Sequence, residues 1–252
     1  MQRTLNYHMK SDGCAVTVLG NQPALQSIEA ARTTVQKAIE KDLATCLMYP
    51  ARDQKSRGFQ KVEPCTANEI IFADATILTE GNSAVVFQVA DCPGLILHDT
   101  KSGRVGVAHA GRPATTPYGK LEQNIISHLL KHMGYPAGSS IDSIIALITP
   151  CISPSWFRHD FHAEAKALVE RFAEWHVRYP QAGIITDDTT LTLDMRAFII
   201  TQLQRKYSKP KEIKVDTTCT FETRGLASRR FDAHYPSEGK EPLYNTCIVY
   251  RK

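Results

Sequence analysis

The chain has 252 residues, 42% of them hydrophobic, with 30 Lys and Arg against 26 Asp and Glu for a formal charge of +4. That length and apolar content suffice for a full buried core, and the charge is too mild and too dispersed for a nucleic-acid footprint, although it suits a small anion. No stretch of eighteen apolar residues occurs, so no membrane partner is expected.

Residues 1–20 predict a strand over Cys14–Leu19 closed by Gly20-Asn21, with no apolar run of the kind a signal peptide needs. From Pro23 to Pro50 the apolar residues Leu25, Ile28, Ala31, Val35 and Ile39 recur at helical spacing, which predicts one long helix or one broken near Lys41. Residues 51–60 are basic and turn-forming. A strand follows over Glu69–Phe72, and Asp74 stands at its end.

The stretch from Ala84 to Thr116 organises the rest. It predicts a strand, a Pro/Gly turn carrying Asp91 and Cys92, a strand over Leu95–Asp99, a polar turn, and a strand over Arg104–Ala108 that delivers His109 and Gly111. A four-residue loop at 100–103 pairs Asp99 with Arg104 and, by continuation, Cys92 with Gly111. His109 then lies diagonal to Cys92 on the same face, about 7–8 Å away at the backbone, and a one-residue slip would separate them. A thiol and an imidazole so placed permit a nucleophilic dyad or part of a zinc site; a buried thiol beside a hydrogen-bonded histidine is the alternative.

Farther on, residues 119–134 predict a helix with Leu121, Ile125, Leu129 and Leu130 inward; His128 and His132, one turn apart, read as its solvated face. SIDSIIALITP predicts a buried strand, and HDFHAEAKALVERFAEW a helix beginning near His159. The turn between them hangs Cys151 and Trp156 over the strand ends. LTLDMRAFIITQLQRKY predicts another helix, KEIKVDTTCT a strand reaching Cys219, FETRGLASRRFDA a loop to Arg229 and Arg230, and NTCIVYR a closing strand. Seven scattered cysteines without a C-x-x-C pair suit a reducing, cytoplasmic setting. The alternation of strands and helices predicts a mixed α/β (α+β class) architecture in which helices cover sheet faces, and no linker or repeat divides residues 1–252, so a single domain is expected.

VADCPGLILHDTKSGRVGVAHAG resembles the core signature of the YfiH-like, or laccase-domain polyphenol oxidase, family, whose pattern runs roughly T-A-D-C-x-P, strand, turn, strand, H-A-G-W-R-G. ALITPCISPSWF, LTLDMRAFIITQL and TTCTFETRGLASRRFDA are similar to three further family segments in the same order. The resemblance implies layers of helix, sheet, sheet and helix with the site at strand ends. It implies purine nucleoside phosphorolysis or deamination at a Cys/His centre with zinc, hence a nucleoside and phosphate as partners. Cys92, His109 and Arg112 are then the catalytic candidates, and Asp74, Cys151 and Arg229 the substrate-binding ones. The family's first ligand histidine is here Glu63, so the implied metal set is Glu63, Cys92 and His109, with Cys65 as a substitute; the family tryptophan after H-A-G is also absent, leaving Arg112 beside the pair. Copper is not expected, because the nine histidines are scattered. A metal-free cysteine hydrolase or amidase, and a ligand-binding homologue that has lost catalysis, are the alternatives.

Overall fold

The computed structural model describes residues 6–50, 61–65, 67–116, 123–160, 183–185, 190–235 and 241–251. A hairpin of β1 (Asn6–Ser11) and β2 (Cys14–Gln22) starts the chain. The first helix, α1 (Ile28–Ile39), is capped by the Ser27 hydroxyl accepting from the Ala30 N–H. It ends at Glu40 in the left-handed region, φ 55°. The expected continuation is instead a strand, β3 (Ala44–Tyr49), followed by β4 (Val62–Pro64), β5 (Ile70–Phe72), β6 (Ala75–Leu78) and β7 (Ser83–Val89). The apolar residues after Lys41 fit helical spacing, but the run is short and Thr45 is β-branched. Burial in a sheet decides between the two states.

The central hairpin is β8 (Gly94–Asp99) and β9 (Val105–His109), and a short helix α2 (Arg112–Thr115) follows it. Next come α3 (Ile125–His132), β10 (Ile144–Ile148) and β11 (Arg158–Asp160). Asn124 caps α3 in a reciprocal box with Ser127. The helix expected from His159 onward is a strand at its start, and residues 161–182 lie outside the described ones, as does Leu121. The chain then forms β12 (Gly183–Ile185), β13 (Thr190–Leu193), α4 (Met195–Lys206), β14 (Glu212–Val215), α5 (Arg229–His234) and β15 (Tyr244–Arg251). LTL was expected within the helix; it is β13, because Asp194 stops the strand and caps α4 by accepting from the Arg196 and Ala197 N–H groups.

Two six-stranded sheets result, in the orders β1-β2-β15-β7-β3-β5 and β14-β10-β8-β9-β6-β4, with a small third sheet β11-β13-β12. Both large sheets are mixed: β3 pairs in parallel with β5 and β7, β4 with β6, and β10 with β14, while the remaining pairs are antiparallel. The period-2 alternation of each strand divides its side chains between two cores. In β8, Ile96 joins Phe87, Val107, Leu147 and Val249 between the large sheets. Leu95 and Leu97 point the other way and pack with Leu129 of α3 and Leu203 of α4. On the first sheet's outer face, Leu47, Val86 and Ile248 take Ala31 and Val35 of α1. The order helix, sheet, sheet, helix follows from these three clusters. Each fully buried Leu or Ile in them contributes about 1.5–3 kcal/mol.

Candidate active site at the open end of a hairpin

The hairpin has the register that the loop count predicts. Gly94 faces His109 and His98 faces Val105, the Asp99 N–H donates to the Arg104 carbonyl at 2.9 Å, and beyond β9 the Ala110 N–H still reaches the Pro93 carbonyl at 2.9 Å. A Cβ built on Gly111 would lie 3.1 Å from Cys92 Sγ and 3.5 Å from His109 Nε2. Thiol and imidazole therefore converge on one point, and glycine leaves that point open. Gly94 serves the same geometry two pairs back, where a Cβ would meet Phe87 Cζ of β7 at 2.8 Å, so the other large sheet can close over the strand ends.

Electrostatics keep both groups neutral. Burial lowers the His109 pKa to about 4. Burial, then the Asp91 charge, push the Cys92 thiol up to about 12, against the opposing Arg112 N–H and guanidinium. Each side chain keeps a little exposed surface yet is ringed closely by protein, and it is the surrounding protein that sets the pKa. His109 Nε2 is buried and has no hydrogen-bond partner among the described residues, whereas its N–H is anchored to the Asp74 carbonyl at 2.9 Å.

Asp91 knots the site together. Its backbone sits at φ 80°, a region in which a non-glycine residue is strained unless its surroundings hold it. Here they do: Oδ1 accepts from Thr220 Oγ1 at 2.8 Å, Oδ2 accepts from the Arg230 N–H at 2.9 Å, and the carbonyl accepts from the Ile152 N–H at 2.9 Å. Arg196, only 9% exposed, performs a similar task from α4 by donating to the carbonyls of Asp216, Cys151 and Thr218. Neither residue was a candidate from sequence; the aspartate preceding the signature cysteine was a usable signal, while nothing in LDMRAF distinguishes Arg196 from a surface arginine.

Arg112 stands beside the pair, its guanidinium donating to His159 Nδ1 at 3.0 Å. The structure gives five further sequence candidates other partners. Glu63 is not brought to Cys92 and His109: β4 pairs it with Thr76, level with Val107 rather than His109, and its carboxylate holds Lys61 Nζ at 2.6 Å. The substitute Cys65 shares a hydrogen bond with Cys46, which together with burial raises its pKa. Asp74 and Cys151 are 2% and 0% exposed. Asp74 Oδ2 accepts from the Lys61 N–H at 3.4 Å, and Cys151, a free thiol, pairs through its backbone alone with Cys219 in an isolated parallel ladder step. Arg229 stacks on the Tyr244 ring at 4.6 Å, and it is the next residue, Arg230, whose N–H meets Asp91 and whose guanidinium lies 5.7 Å from the Phe157 ring.

A family model described as multi-copper polyphenol oxidoreductase laccase matches residues 18–235. The chain belongs to this family. Among solved structures, the YfiH protein of Bacillus licheniformis superposes with a TM-score of 0.70 at 16% identity, over 95% of this chain and 93% of that one. A Neisseria meningitidis protein of the DUF152 family gives 0.67 at 16% identity over 99% of both chains. YlmD of Geobacillus stearothermophilus gives 0.68 at 16% identity over 96% of this chain and 93% of that one. At such identities the likeness is one of fold. No protein with a curated function matches the chain.

The family's name suggests a metal. The open point at Gly111, the orphaned His109 Nε2 and the Cys92 thiol supply two donors of the types zinc takes. A three-ligand protein set is not completed: among the described residues no three His, Cys, Asp or Glu side chains converge. Among those same residues, no helix is long and apolar enough to cross a membrane.

Proposed function

We propose that the chain is an enzyme acting on purine nucleosides, by phosphorolysis or deamination, at the Cys92–His109 centre. The observation that carries the reading is the convergence of Sγ and Nε2 on the space above Gly111, with Arg112 at its edge. A neutral imidazole in that position holds a lone pair for a proton or a cation, and Arg112 offers a planar cation suited to phosphate. Zinc, if bound, would take Cys92 and His109 as donors and supply a polarising charge. A preformed thiolate attack has less support, since the Cys92 thiol keeps its proton up to about pH 12.

The base has a natural neighbour. Thr220, whose hydroxyl holds Asp91, also lines a cavity of about 440 Å³ with Phe221, Arg224, Phe231 and Asp232. Phe221 stacks on Trp156 with ring centroids 4.0 Å apart, and the Trp156 indole N–H donates to Glu222 at 2.7 Å. Aromatic walls of this kind favour a flat heterocycle.

The test is turnover of adenosine and inosine with and without phosphate, followed by release of free base and of ammonia, on protein whose metal content has been measured. Free base released only with phosphate, or ammonia from adenosine, in wild type and not in Cys92→Ala supports the reading. Turnover equal in both proteins would remove the centre from the chemistry.

A further inference from the structure

The small third sheet delivers one side chain to the site that the proposed chemistry has not used. His159 lies in the middle of β11, opposite Leu191 of β13, and the strand is fastened further by the Leu193 N–H donating to the Phe157 carbonyl at 3.1 Å. The imidazole is 3% exposed and meets the Phe157 ring edge-on, centroids 4.6 Å apart at 76°. Its Nδ1 lies 3.0 Å from Arg112 Nη1. A guanidinium can only donate, so Nδ1 must carry the lone pair and the proton resides on Nε2.

Arg112 is held at its other end too. It follows the turn at Gly111, Pro113 restricts the next backbone step of α2, and its own N–H and its charge both act on the Cys92 thiol. The cation therefore has its main chain against Cys92 and its fork against a buried acceptor on a different sheet. An arginine left to its own rotamers would sample many orientations; one tied to a rigid imidazole presents the same face each time.

We propose that His159 is a positioning residue, which holds the Arg112 guanidinium in the orientation that binds an oxyanion of the phosphate class beside Cys92 and His109. The proposal rests on the reading of that centre given above. His159 touches neither the reacting atoms nor the anion, and acts through Arg112.

Inorganic phosphate is the probe, titrated calorimetrically into the full-length protein, so that anion binding is read without turnover. His159→Leu, which removes the acceptor, weakens phosphate binding about tenfold and raises the phosphate KM by the same factor while the nucleoside KM is unchanged. His159→Asn, whose amide oxygen can take the place of Nδ1, restores binding to within about threefold. In an Arg112→Ala background the His159→Leu change has no further effect, because its role is already gone. Should His159→Leu fail to fold, the same cycle is run with His159→Gln, whose longer side chain carries its acceptor past the Nδ1 position. The proposal is overturned if wild type does not bind phosphate, if His159→Leu binds it normally, or if the losses from the two sites add. Phosphate binding that follows this pattern in a protein that turns over no nucleoside would uphold the role of His159 and sink the proposed reaction instead.

Discussion

The two ends of the β8–β9 hairpin bury titratable groups in opposite ways. At the closed end, Asp99 is 3% exposed, and burial alone would raise its carboxyl. Hydrogen bonds from Ser102, Ser143 and the Lys101 N–H overcome that and hold it below its usual value. His98 beside it has Ser11 Oγ at 2.8 Å from Nδ1. At the open end, His109 Nε2 lacks a partner among the described residues and Cys92 has its proton driven onto sulfur by burial. One strand pair thus saturates its polar groups at the turn and leaves them underused at the strand ends. Unsatisfied buried groups are costly, and they are retained where a ligand or a reaction gives them a partner.

The largest expected effect comes from the open end itself. Cys92→Ser and His109→Gln each lower kcat/KM about 10²- to 10⁴-fold, with little loss of stability, since His109 Nε2 has no partner among the described residues and the Arg112 N–H that meets Cys92 Sγ can donate to a serine hydroxyl as well. Turnover that survives both changes would erase the contrast between the two ends. Next in size is Arg196→Leu, which leaves the carbonyls of Asp216, Cys151 and Thr218 without their donor. Denaturant unfolding should show a loss of about 3 kcal/mol. Asp99→Asn probes the closed end: a loss of about 1–2 kcal/mol with kcat/KM unchanged, the reverse of the Cys92 pattern.

The smallest effect is on the pH dependence of stability. A histidine whose folded pKa is about 4, against the ordinary 6.5, binds its proton more readily when unfolded. Its contribution is therefore full above about 6.5 and is lost as the pH falls toward 4. His98 is shifted the same way, first by burial, so the quantity to measure is the part of the slope between pH 4 and 6.5 that disappears in His109→Gln. An unchanged slope would mean that His109 is less enclosed than its pKa implies.

Much of this was legible in the sequence wherever a local rule governed. The four-residue turn fixed the hairpin register and so the meeting of Cys92 with His109, and the 3.6-residue period located α1, α3 and α4. Sequence reading failed where distant parts of the chain decide. Ala44–Tyr49 and Thr190–Leu193 became strands because neighbouring strands accept them. Glu63 was placed at the site by its position in a family pattern, but parallel pairing with β6 sets it level with Val107, two residues short of His109, and its carboxylate meets Lys61 instead. Arg230 rather than Arg229 meets Asp91 through its main-chain N–H in the first turn of α5, where backbone amides have no acceptor within the helix, a distinction invisible in the dipeptide. His159 and Arg196 act through tertiary contacts alone.

The most direct test of the central claim is the activity and stability of Gly111→Ala, measured side by side. The backbone there, φ −67° and ψ 162°, accepts alanine without strain, and the new methyl would occupy the point 3.1 Å from Cys92 Sγ and 3.5 Å from His109 Nε2. If that space is where the chemistry occurs, kcat/KM falls by about 10²-fold or more while the melting temperature moves by only about 2–4 °C. A Gly111→Ala protein that turns over nucleoside at the wild-type rate would contradict the account.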